Sequence, residues 1–217
     1  FFDTEDNWRI DIDAVYITGC PLTTRPERRG RSESMSAGKP VKTVLEEGDI
    51  SRALTRIAHE IIEKNRGSEN LLLLGIPTRG AYLAARLAKI IGSIDKREIP
   101  NGVLDITLHR DDLRSRPPRA LTPTVIPSGG VEDKIVVLVD DVLFSGRTIR
   151  AALDALGEVG RPRTVQLAVL VDRGHRQLPI RADFVGKNLP TSEKQSVRVS
   201  LTENDSVDEV VIEGEAN

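Results

Sequence analysis

Residues 135–148 read Ile-Val-Val-Leu-Val-Asp-Asp-Val-Leu-Phe-Ser-Gly-Arg-Thr, and no other stretch constrains the chain as tightly. The apolar residues Ile135 to Val139, all but one β-branched, run directly into two adjacent carboxylates, Asp140 and Asp141. An uninterrupted apolar run suits a strand covered on both faces, as in a parallel sheet with helices on either side. Two acids at the carboxyl end of such a strand fall at the crevice where open α/β sheets bind ligands. Ser145, Gly146 and Thr148 follow, and then a helical pattern opens from Ile149 to Leu156. Free N–H groups and the dipole at a helix N-terminus favour an anion. Carboxylates for hydroxyls beside a cradle for phosphate predict a ribose phosphate as ligand.

The flanking pattern extends the same architecture. Ile50, Ala53, Leu54, Ile57, Ala58, Ile61 and Ile62 recur at helical spacing, and Gly67 is placed to end that helix. Its opposite face carries Arg52, Thr55, Arg56, His59 and Glu63. Residues 71–76 predict a second buried strand, broken by Pro77-Thr78-Arg79-Gly80 before a helix over 81–91. A further strand is expected over 103–108, ending in His109-Arg110-Asp111-Asp112. The proline-rich connection over 113–133 has the length of a functional lid. A helix over 147–157 turns Ala151, Ala152, Leu153 and Leu156 inward, and strands follow at 164–171, 182–185, 196–201 and 207–212. Strands alternating with helices predict an α/β fold with a doubly wound, mostly parallel sheet flanked by helices, a flexible lid loop and short C-terminal strands.

Composition excludes several classes. The 217 residues allow one sizeable domain, expected over 41–217, preceded by an N-terminal extension over 1–40 whose Arg, Ser, Gly and Pro content reads as disordered. Met35, the only methionine, stands just before the globular pattern and is a candidate start of translation, which would make 1–34 an upstream extension. No apolar run reaches the roughly 18–20 residues of a membrane span, and no secretory signal opens the chain. Cys20 stands alone, which leaves no disulfide and no structural zinc cluster. A cytoplasmic protein is expected. With a net charge of −2, any nucleic-acid surface must arise from segregated charge rather than a basic bulk.

Several phosphate motifs are missing. Gly146-Arg147-Thr148 lacks the upstream glycine and the lysine of a Walker-type loop, and no G-x-G-x-x-G follows a strand. An acidic pair also marks phosphoacceptor receiver domains, but there it ends the first strand. None of the three histidines adjoins a nucleophile elbow. The whole string over 135–148 closely resembles the 5-phosphoribosyl-1-pyrophosphate (PRPP) motif of type I phosphoribosyltransferases. Residues 74–80 resemble that family's pyrophosphate loop, and 105–112 the start of its flexible loop. Residues 52–60, 160–176 and 181–188 narrow the resemblance to the PyrR family of bacterial pyrimidine-operon regulators, which are also uracil phosphoribosyltransferases. It spans about residues 49–212. Phe144-Ser145 stands where that family often has Tyr-Thr, His109 where it often has Tyr, and Pro77 where a basic residue is common.

The resemblance implies roles for particular residues. Asp140 and Asp141 would accept the ribose hydroxyls and stabilise the oxocarbenium-like charge of glycosyl transfer. Val142 and Leu143 would line the nucleotide, and Phe144, Ser145, Gly146, Arg147 and Thr148 would wrap the 5′-phosphate. Thr78 and Arg79 would hold the departing pyrophosphate, with Arg79 counted among the catalytic groups, and Arg110 would join the PRPP site. Arg173 and the backbone at Val197 would lie near the nucleotide. Mg²⁺ would be held mainly by PRPP or diphosphate oxygens and water, so no dedicated metal ligands are expected. The lid would exclude water, which would otherwise hydrolyse PRPP.

The implied partners are uracil, PRPP, UMP and pyrimidine-gene leader mRNA, in a homo-oligomer of two or more chains and without a membrane. Arg52, Thr55, Arg56, His59 and Lys187 are the candidate RNA contacts, with Lys194 and Arg198 beside them. Two other readings stay open: an RNA-binding nucleotide sensor with little catalysis, and a purine phosphoribosyltransferase.

Overall fold

The computed structural model describes residues 41–111 and 122–214. The extension expected over 1–40 and the middle of the lid therefore lie outside the described residues. Strand β1 (Val41–Glu46) leads into helix α1 (Glu47–Asn65), followed by β2 (Leu71–Gly75) and α2 (Arg79–Asp95). Next come β3 (Asn101–Val103), β4 (Ile135–Leu143), α3 (Arg147–Val159) and β5 (Thr164–Asp172). β6 (Phe184–Asn188), β7 (Ser196–Ser200), the short α4 (Thr202–Asp205) and β8 (Glu209–Glu213) complete the chain.

Five strands form a wholly parallel sheet in the order β3-β2-β4-β5-β6. Side chains alternate across it as strand geometry requires. Leu71, Leu73, Val137 and Val139 join the core beneath α1 and α2, while Leu72, Leu74, Val136 and Leu138 join the one beneath α3. Both faces are covered, which is why β2 and the start of β4 are continuous apolar runs. The expected doubly wound sheet is present.

The structure adds to the sequence reading in some places and corrects it in others. β1 carried no signal, because its outward residues are exposed and only Leu45 is buried. It pairs antiparallel with β8, which pairs with β7, so two of the C-terminal strands belong to a separate three-stranded sheet. The strand expected over 103–108 stops at Val103. Asp105 turns the chain by accepting the Thr107 N–H and Oγ1 (3.0 and 2.6 Å), and a 3₁₀ turn follows at Thr107–His109. Leu153 points outward at 42% exposure, because the buried stripe of α3 runs through Ile149, Ala152 and Leu156. The last part of the lid stretch is anchored: Val103 and Val125 exchange N–H···O bonds (2.9 and 2.8 Å), and Val131 is buried.

At the end of α1, Arg66 takes the left-handed conformation and the Gly67 N–H bonds the Ile62 carbonyl (3.0 Å), closing the helix close to where its glycine was expected to do so. Among the described residues, no helix is long and apolar enough to cross a membrane.

Candidate active site

The chain leaves β2 for the sheet edge at β3, then returns to the other side of β2 to build β4, β5 and β6. The direction of winding therefore reverses between β2 and β4, and a crevice opens there beyond the strand ends. Pairing of β4 with β2 ends at Gly75–Val139, capped by the Ile76 N–H on the Val139 carbonyl (2.9 Å). On its other side β4 stays paired with β5 as far as Leu143 opposite Asp172. Asp140 and Asp141 thus sit on a strand with one edge fixed and the other open to the crevice.

Asp140 is 6% exposed and Asp141 half-buried. Each carboxylate accepts the N–H of the next residue, Asp141 N–H to Asp140 at 3.0 Å and Val142 N–H to Asp141 at 2.8 Å. Burial, reinforced by the neighbouring Asp141 charge, holds the Asp140 carboxyl well above the usual carboxylate range, and Arg110 opposes the shift. Arg110 is thereby within electrostatic reach of the acidic pair.

The turn after β2 faces the same crevice. A Cβ at Gly80 would lie 2.4 Å from the Val139 carbonyl oxygen and 3.3 Å from the Asp140 Cα. A Cβ at Gly75 would strike Ala81 and Gly80 backbone at 2.4 Å. Glycine at both places lets the start of α2 press against the acidic pair's strand. Thr78 stands at the N-cap position of α2, without a side-chain capping bond, and Arg79 is the helix's first residue. The Arg79 side chain donates from Nε and Nη2 to both carboxylate oxygens of Asp205 (3.1 and 2.9 Å).

Beyond β4, Phe144 to Gly146 turn the chain into α3. Gly146 has φ 92°, a left-handed value that suits glycine. The first-turn N–H groups of α3 have no acceptors within the helix, and the Arg147 N–H makes only a long contact with Ser145 Oγ (3.4 Å) in the loop before it. The loop's carbonyls are drawn away from that opening. Ser145 O accepts the Gln177 and Leu178 N–H groups (3.0 and 3.2 Å), and Phe144 O accepts Arg176 Nη1 (2.7 Å). What remains is a donor-lined opening whose loop and first helical turn carry Ser145 and Thr148. The Arg147 side chain instead pairs with Gln177 (2.9 Å) and Asp111 (2.5 Å), the latter at the root of the lid.

Arg173 is only 7% exposed. Its guanidinium donates to Thr191 Oγ1 (3.1 Å) and to the Ser192 and Gln195 carbonyls (3.1 and 2.7 Å). It is a clamp on the 191–195 loop, a role that the sequence reading did not give it. Val197 lies two residues on, in β7, packed on the core beneath α1 and α2. Asp172 to Arg176, Arg181 and the 188–191 segment line an open cleft of about 830 Å³ at the ends of β5 and β6.

The proposed RNA residues share one face. Arg52, Thr55, Arg56 and His59 are exposed on α1, and Arg56 reaches across to the Val185 and Gly186 carbonyls (3.0 and 2.6 Å), next to exposed Lys187. Arg52 pairs with Asp49 (2.6 Å) and Thr55 bonds the Ser51 carbonyl (2.9 Å). Arg198 pairs with Glu213 (2.8 Å), and Lys194 is exposed in the loop before β7.

Three groups escaped the sequence reading. Arg176 ties Asp172, Gly174, Ile180 and the 144–146 loop together. It lies at the end of the 160–176 segment, which carried the resemblance without giving it a role. Asp105 sets the lid's root, and its signal was its place at the end of an apolar run. Asp205 is 126 positions from the arginine it holds, and nothing local marks it.

The model of the phosphoribosyl transferase domain matches residues 40–204. The bifunctional protein PyrR of Streptomyces coelicolor is 64% identical over 171 residues, covering 79% of this chain and 89% of that protein. The bifunctional protein PyrR of Corynebacterium glutamicum is 58% identical over 176 residues, covering 79% and 92%. Among solved structures, a hypoxanthine phosphoribosyltransferase of Trypanosoma cruzi aligns with a TM-score of 0.62 at 17% identity over 79% of this chain and 94% of that one. The one from Staphylococcus aureus aligns with a TM-score of 0.59 at 18% identity over 86% and 98%. At such identities the structures establish the fold alone.

Proposed function

The chain belongs to the phosphoribosyl transferase family and, within it, to the PyrR proteins, and from that membership we propose that it converts uracil and PRPP to UMP and diphosphate while regulating pyrimidine genes through UMP-dependent binding to their leader mRNA. The observation that carries the catalytic half is the crevice itself. One open strand edge presents two carboxylates between an arginine-bearing helix start and a donor-lined loop. The purine reading draws only on structures that share the fold.

Each residue has a defined task. The α3 opening receives the 5′-phosphate on backbone N–H groups and the Ser145 and Thr148 hydroxyls. That fixes the sugar over the acids. Asp141 faces the ribose hydroxyls with an open carboxylate. Asp140, buried beside it, supplies negative potential where positive charge builds at the anomeric carbon, an interaction worth more in the transition state than in the ground state. Thr78 and Arg79 receive the departing diphosphate. The lid, rooted at Asp105 and Asp111, excludes water while the sugar is reactive.

The residues fit Mg²⁺ in one way only. Among the described residues no group of three or more acids, histidines and cysteines gathers as a cage. The two strand acids offer a pair of oxygens beside a diphosphate that offers more. An ion held largely by substrate and water suits that donor set and would neutralise the leaving diphosphate.

The RNA half rests on the face formed by Arg52, Thr55, Arg56, His59 and Lys187, which the Arg56 tether to β6 assembles from two elements. The chain acts in the cytoplasm as a homo-oligomer. The experiment is uracil-dependent release of diphosphate from PRPP in the presence of Mg²⁺, with hypoxanthine and adenine as comparisons. Turnover with uracil is expected; preference for a purine, or no turnover with any base, overturns the enzymatic reading.

A further inference from the structure

We propose that Asp205 is a positioning residue for diphosphate recognition, acting through the Arg79 guanidinium. The inference rests on the proposed reading of the crevice as a PRPP site, in which Arg79 meets the diphosphate.

Arg79 begins α2 where that helix presses on β4 beside the acidic pair. Its side chain is not left to search for an anion. Asp205 takes one edge of the guanidinium, Nε at 3.1 Å and Nη2 at 2.9 Å, and both side chains are about three-quarters buried. A guanidinium carries five N–H donors in a rigid fork. Asp205 engages two of them and leaves Nη1 and the outer Nη2 hydrogen, the edge that matches two phosphoryl oxygens.

Asp205 is itself held from several directions. Its carboxylate accepts the Leu201 N–H (3.1 Å) and Asn204 Nδ2 (3.0 Å), and its own N–H donates to the Leu201 carbonyl (2.7 Å). Two turns further along α2, Arg86 binds Glu203 and Asp208 on either side of it. The α4 turn is therefore pinned to α2 without Asp205. This frees the Arg79–Asp205 pair from being the only tie between the two elements. Its distinctive consequence is to fix a long, flexible cation in one orientation before the ligand arrives, which spares ordering cost on binding.

The test is a double-mutant cycle on the full chain with Mg²⁺. It reads the Kd of inorganic diphosphate by calorimetry, together with KM for PRPP and kcat. Asp205→Asn is expected to weaken diphosphate and raise the PRPP KM by roughly tenfold, with kcat changed far less. Arg79→Ala is expected to weaken diphosphate further, and Asp205→Asn to add nothing in that background. Arg79→Lys keeps the charge but not the fork. It is expected to lose nearly as much affinity as Arg79→Ala, and it keeps the test available should Asp205→Asn fail to fold. Asp208→Asn serves as control, lowering Tm while leaving diphosphate affinity unchanged.

Equal losses from Asp205→Asn in both backgrounds would mark a purely structural role and overturn the proposal. Tighter diphosphate binding by Asp205→Asn would overturn it too, by making Asp205 a competitor. So would an Arg79→Ala or Arg79→Lys variant that binds diphosphate like the parent. Coupling without any uracil turnover would instead overturn the enzymatic reading and leave this one standing.

Discussion

The guanidinium of Arg173 lies 4.1 Å from the ring centroid of Phe144, and the His175 ring meets the same phenyl group edge-on at 6.0 Å. The loop before α3 and the clamp on the 191–195 loop thus share one aromatic plate. Burial lowers the Arg173 pKa, and the π face returns some of what desolvation removes. Phe144→Ala should cost about 1–2 kcal/mol in urea unfolding, from the lost cation–π contact and apolar area, and should weaken UMP binding. Phe144→Tyr keeps the plate and should match the parent in both measurements.

A second expectation concerns pH. The folded-state pKa of Asp140 stands above its unfolded value, so its contribution to stability is present below the ordinary carboxylate range. That contribution is lost as pH rises through the raised value. Asp140→Asn should therefore match the parent's stability in acid and exceed it at neutral pH, while turnover falls. Asp141→Asn should lower kcat by about a hundredfold with the fold intact, as for removal of one preorganised electrostatic group. Thermal unfolding across pH, paired with diphosphate release, checks both variants.

Most of this site was legible in the sequence because its parts are contiguous. The apolar run of β4, its two acids and the glycine before α3 lie within one short stretch, and each has a local physical cause. Thr78 and Arg79 follow a buried strand in the same manner. The groups that orient these parts were not legible. Arg176 and Gln177 hold the carbonyls of the loop before α3 from a separate loop, and Asp205 reaches Arg79 from the far end of the chain. β1 escaped for a related reason: a strand at the margin of a small sheet buries a single side chain and shows no continuous apolar run. The strand expected over 103–108 failed because Asp105 bonds its neighbours' backbone more readily than it continues a ladder.

The proposed RNA face can be separated from its scaffold. Arg56 holds two carbonyls at the start of β6, so Arg56→Glu should lower stability by about 1–3 kcal/mol as well as weaken RNA. Lys187→Ala and His59→Ala remove exposed groups and should leave both Tm and uracil turnover unchanged. If Lys187 meets a phosphate, its loss should reduce the slope of log affinity against log salt by about one. Filter binding to a leader hairpin over a salt series measures this, and an unchanged slope would remove Lys187 from the interface.

Arg86 offers a pH test at a place remote from the chemistry. It forks onto Glu203 and Asp208, and Arg86 beside Asp208 holds that carboxyl well below the usual range. A depressed carboxyl contributes stability above its unfolded pKa and loses it as pH falls through the folded value. Asp208→Asn should accordingly cost about 2 kcal/mol at neutral pH. The difference from the parent should vanish only in strong acid. Urea midpoints at several pH values provide the check.

β1 and β8 are antiparallel neighbours, and Val41 stands opposite Glu213. The first and last strands of the described residues therefore close the domain on itself, with both ends leaving one margin of the small sheet. Tension applied through those two ends would load that margin as a zipper, parting the rungs singly from Val41 inward instead of shearing them together. The small sheet would open first, carrying away Val197 and the turn that holds Arg79. The five-stranded sheet, with its acidic pair and phosphate loop, would bear no load until that sheet had parted.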